Sequence, residues 1–140
     1  MAADTNAIIR EYLASHANAV ALQALVGARI YSPRLPEGTT LPAVGFLTRG
    51  GDSTPYIPGM VTPSVQFDCW AENAIEARQV YGALYDALQG IQMVDVTVAG
   101  NTYVILSSQE EVQGQDIPDA DIVGYFKVLT FFSIKIRAEV

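Results

Sequence analysis

Residues 64–90 read SVQFDCWAENAIEARQVYGALYDALQG, and two periodicities meet in that stretch. From Ser64 to Trp70 the residue types alternate. Val65, Phe67 and Cys69 point one way, and Ser64, Gln66, Asp68 and Trp70 the other, the period-2 pattern of a half-buried strand. A few residues on, the period changes. Ala77, Val80, Tyr81, Leu84, Ala87 and Leu88 form one apolar stripe at helical spacing. Asn73 is a good N-cap with Glu76 three residues later, as in a capping box, and Gly90 closes the helix at C′. A strand that passes directly into an amphipathic helix sets the basic unit, a sheet with a helix against it.

Before this unit, about Asp4 to Ala14 reads as a helix carrying Ile8, Ile9, Tyr12 and Leu13 on one face, capped by Thr5 or Asn6. Ser15 to Asn18 interrupts it. A shorter helical turn follows with Leu22, Leu25 and Val26, and Gly27 is its C-cap. Ile30 to Gly38 is a turn-rich connection, and Leu41 to Thr48 a strand with Pro42 at its entrance. Arg49 to Pro63, rich in glycine and proline, reads as a long loop or a loosely twisted hairpin. After the helix, Val94, Val96 and Val98 alternate, Gly100-Asn101 makes a tight turn, and Tyr103 to Ser107 returns. Glu110 to Asp121 is a polar acidic stretch. The chain then runs β-rich from Ile122 to Ala138, with Phe126, Val128, Phe132, Ile134 and Ile136 on one face. Lys127, Ser133, Lys135 and Arg137 share the other face with Leu129 and Phe131. Few helices and mostly consecutive strands predict one α+β domain over residues 1–140, a small antiparallel or mixed sheet flanked by helices.

The 140 residues are half hydrophobic and 16% charged, which suits a packed core and not a disordered chain. The net charge is −7, and the six arginines and two lysines are scattered singly. Nucleic-acid binders cluster their basic residues, so tight phosphate binding is not expected. One cysteine allows no internal disulfide and suits a reducing cytoplasm. The first residues hold early acids and no long apolar run, unlike a signal peptide, and no stretch has the ~20 apolar residues of a membrane helix.

Reactive chemistry has few parts here. His16 stands at a helix break, where a capping or linker role fits better than general-base work. Cys69 has no CxxC partner and no basic neighbour in sequence, which makes it a buried structural thiol. Glu110, Glu111, Asp116, Asp119 and Asp121 lack the alternation and central glycine of a calcium loop. Gly50-Gly51-Asp52-Ser53 has neither the lysine of a P-loop nor a GxGxxG pattern. No enzyme, cofactor or metal site is expected.

Several segments, taken in order, resemble one family. They are Ala24 to Tyr31, Leu35-Pro36, Leu41 to Val44, Val65 to Ala71, the helix from Ala74 to Arg78, and the closing strand Tyr125 to Ile136. Their sequence and spacing are similar to those of the tail-terminator (tail-completion) proteins of long-tailed phages, prophages and gene-transfer particles. The resemblance covers about Tyr12 to Ile136. It implies a structural virion subunit that forms a closed ring, usually of six, on the head-proximal end of the tail tube. Such a ring ends tube polymerisation and joins tail to head. Its partners would be further copies of itself, the tail-tube protein and the head–tail connector protein, with DNA passing through the lumen unbound. Assembly would take place in the host cytoplasm.

On that view Tyr56, Ile57 and Met60 offer apolar groups on the Arg49–Pro63 loop, and Leu129 and Phe131 interrupt an otherwise polar strand face; these are the expected subunit or tube contacts. Burial of Leu129 and Phe131 under a second layer of the same domain is the competing expectation. Glu110, Glu111, Asp116, Asp119 and Asp121 are candidates for an acidic lumen or surface that repels phosphate. A connector, stopper or tube subunit is the alternative within assembly proteins. A small dimeric ligand-binding protein or enzyme is the alternative outside them.

Overall fold

The computed structural model describes residues 4–33, 35–36, 38–53, 60–117 and 126–138. Two helices open the chain, α1 (Thr5–Ser15) and α2 (Val20–Val26), joined by a 3₁₀ turn at Ala17–Ala19. Then come β1 (Ile30–Tyr31), β2 (Ala43–Ser53), β3 (Met60–Ala71), α3 (Ala74–Leu88), β4 (Gln92–Val98), β5 (Asn101–Ile117) and β6 (Phe126–Ala138). The strands form one sheet in the order β1-β2-β3-β6-β5-β4. β1 is parallel to β2 and every other pairing is antiparallel. The predicted α+β class and mixed sheet are what the chain adopts.

The alternation read from Ser64 to Trp70 governs the middle of the sheet. Val65, Phe67, Cys69 and Ala71 are fully buried on the helix side, opposite Phe132, Thr130, Val128 and Phe126 of β6. Phe46, Phe67 and Phe132 line up across β2, β3 and β6 with ring centroids 5.6 and 5.8 Å apart, spacings typical of favourable aromatic pairs. The α3 stripe seats on this row, with Val80, Leu84, Ala87 and Leu88 fully buried. Asn73 caps α3 by accepting from the Glu76 amide at 2.8 Å, and its own amide reaches Glu76 Oε2 at 3.5 Å. α1 is capped one residue earlier than expected, by Asp4, whose Oδ1 accepts from the Ala7 amide. A carboxylate at that point also favours the positive end of the helix dipole. The Tyr12 hydroxyl donates to the Ala87 carbonyl and ties α1 to α3. α1 touches β4 at one end of the strand order and β1 and β2 at the other, so the sheet curls around it.

Four expectations need correction. β1 was read as part of a connection; a two-residue strand has no visible period, and what places it is Arg29, whose side chain donates to the Pro42 carbonyl at 2.8 Å. β2 does not stop at Thr48. It continues to Ser53 through a bulge between Thr48 and Gly51, where Gly50 and Gly51 take φ of 89° and 117°, values open to glycine. The hairpin turn is Ala99-Gly100, at φ 52° and 82°, and Asn101 already belongs to β5. The acidic stretch from Glu110 is no loop up to Ile117. It is the distal half of β5, hidden from a period-2 reading by irregularities between Glu110 and Val112 and between Val112 and Gln115.

Candidate assembly surface

All three helices lie on one face of the sheet, so the other parity of each strand carries the open face. Tyr31 and Gly45 are paired there, then Leu47 with Gln66, Gln66 with Phe131, and Asp68 with Leu129. Trp70 stands opposite Lys127, and Val112 opposite Phe131. Leu129 and Phe131, picked out in sequence, are half-buried here among their neighbours, with none of the described helices over them. Leu47, Trp70 and Val112 extend the same apolar band. Trp70 was readable from the β3 alternation. Leu47 and Val112 acquire their place only from strand register.

A polar line crosses this band. Arg49 donates to Gln66 Oε1 at 2.9 Å, Gln66 donates to Asp68 Oδ1 at 3.2 Å, and Lys127 Nζ lies 3.9 Å from that oxygen. Lys127 also sits 5.0 Å from the centre of the Trp70 ring, a cation–π distance. The side chains of Asp68 and Lys127 are only 17% and 22% exposed. Partial burial pushes the Asp68 carboxyl above the usual aspartate range, and Lys127 and Gln66 pull the other way. Asp68 and Lys127 are thus paired with each other and flanked by apolar groups.

The expected acidic residues separate. Glu110 turns toward the helix layer, where its Oε2 accepts from the Tyr81 hydroxyl at 2.6 Å and lies 2.8 Å from the Thr130 hydroxyl. Asp116 pairs with Arg78 at 2.9 Å. Glu111 accepts from Ser64 at 2.7 Å. Asp119 and Asp121 lie outside the described residues, as do Tyr56 and Ile57. Met60 opens β3, opposite Arg137.

Cys69 is fully buried. Burial first, and the nearby Asp68 charge second, push its thiol well above the ordinary cysteine range, which disfavours the reactive thiolate. His16 ends α1, and its Nδ1 accepts from the Asn18 amide at 3.0 Å. No group of three or more metal-ligating side chains occurs among the described residues. A cleft of about 220 Å³ between the start of α3 and the β5–β6 end is lined by Ala74, Ala77, Asp116, Ile117, Phe126, Lys127 and Val128. Its two charged groups are each engaged elsewhere, Asp116 with Arg78 and Lys127 with Asp68. None of the described helices is long and apolar enough to cross a membrane.

A virion chain shares this fold. It belongs to a structure of the virion of a native gene transfer agent particle, and the match has a TM-score of 0.58 over 96% of this chain and 95% of that one. Sequence identity is 16%, so the likeness is one of fold. No protein-family description and no curated protein sequence matches the chain.

Proposed function

We propose that this chain is a structural subunit of a phage-type virion and, more finely, the tail terminator that caps the head-proximal end of the tail tube. The observation that carries the coarser reading is the end-to-end fold match with a gene-transfer-agent virion chain. The ordered resemblance of the sequence segments supports the finer one. So does the half-buried apolar band Leu47-Trp70-Leu129-Phe131, which suits a lateral or axial contact with other protein copies. In this reading several copies close into a ring, six being the usual number, with the tube protein on one side and the head–tail connector on the other. DNA passes through the lumen without specific binding, and no catalysis is assigned.

The test is imaging of purified protein mixed with its tube protein. A terminator gives tubes of bounded length with one extra ring at one end. Stacking of this chain by itself into long tubes would make it a tube subunit. A ring that binds the connector but ignores the tube would make it a stopper. Thermal stabilisation by one member of a metabolite panel, with no ring at any concentration, would move it to the ligand-binding class.

A further inference from the structure

β4 pairs with β5 only between Asn101 and Ser107. From Ser108 to Ile117 the outer edge of β5 has no strand beside it among the described residues, and an unpaired edge of that length is a template for strand addition. Four of its backbone groups are nonetheless occupied, by α3 and the two residues that follow it. The Ser108 carbonyl accepts from the Gly90 amide at 2.9 Å, and the Glu110 amide donates to Gln89 Oε1 at 2.7 Å. The Gly114 amide donates to the Tyr81 hydroxyl at 3.1 Å, and the Gly114 carbonyl accepts from Arg78 at 3.3 Å. Donors and acceptors thus run antiparallel along helix and strand, as a neighbouring strand would supply them.

The lengths agree. From Ser108 to Asp116, β5 matches only Ile134 to Val128 on β6, because its irregularities take up extra residues. Six strand steps span about 20 Å, and the helix from Arg78 to Leu88 spans about 15 Å, with Gln89 and Gly90 continuing past its end. Gly114 completes the fit, since a Cβ there would stand 2.7 Å from the Tyr81 ring.

We propose that α3 is a stand-in strand, an autoinhibitory cover that stops a second copy of this chain from pairing with the distal edge of β5. The proposal does not depend on the virion reading. Two freed β5 edges meet isologously and close at two copies, whereas a ring has its own, larger defined mass.

The test compares wild type with Gln89→Ala, Tyr81→Phe and the triple variant Arg78→Ala/Tyr81→Phe/Gln89→Ala. Gln89 is exposed, so its substitution leaves the fold intact even where the triple variant fails. The expected result is amide exchange at Glu110 and Gly114 faster by about tenfold or more. Light scattering should then show a two-copy species whose share grows with concentration, and grows further in high salt as Glu110, Glu111 and Asp116 are screened. Exchange that stays within about twofold of wild type in every variant overturns the proposal. Faster exchange with the wild-type mass at all concentrations overturns it equally.

Discussion

At Gly51 the backbone sits at φ 117°, and an added Cβ would lie 2.1 Å from the Thr62 carbonyl oxygen. Both objections are to backbone, which cannot swing aside. Gly51→Ala is therefore expected to destabilise the domain by at least about 2 kcal/mol in denaturant melts. Asp68 behaves in the opposite sense. Its carboxyl is raised by burial, so the fold favours the neutral form. That contribution is present at low pH and is lost as pH climbs from the ordinary aspartate value through the raised one. A permanently neutral side chain escapes the loss. Asp68→Asn should melt higher than wild type at pH 7, by on the order of 1–3 °C, and equal to it near pH 3. A lower melting point at pH 7 would mean that the contact with Lys127 outweighs the desolvation.

The elements differ in how much of them the sequence displays. β3 and α3 were legible because each keeps one period from end to end and α3 carries its own stop and start signals. The cap is strong enough to measure: Asn73→Ala should lower stability by about 1 kcal/mol, read from the midpoint of urea unfolding with an unchanged slope. β5 was only half legible. Its proximal half is apolar enough to read as a strand despite a shift between Ile105 and Ser107, but two further register shifts past Glu110 exchange the faces, so consecutive acids point to different partners and the segment looks like a loop. The same shifts scattered the expected acidic surface. Leu129 and Phe131 could be found because they break the polar parity of β6. Their neighbours Leu47 and Val112 could not, because those join them only through strand pairings. β1 is too short to carry any pattern.

At the scale of the whole molecule, the open face divides folding from association. Leu129 and Phe131 are half-buried and none of the described helices covers them. Exchanging both for serine is expected to leave the far-UV spectrum native while reducing association with neighbouring copies or with tube protein at least tenfold, about 1.4 kcal/mol, as judged by co-sedimentation. Unimpaired association would place the contact elsewhere. The order of the strands has a further result. β6 follows both β3 and β5 in the chain, yet it lies between them in the sheet, and β3 and β5 meet only through it. α1 likewise finds part of its seat on β4, much later in the chain. Without β6 the strands fall into two groups, β1–β2–β3 and β5–β4, with nothing to join them, so the sheet comes together only once Phe126 to Ala138 are in place.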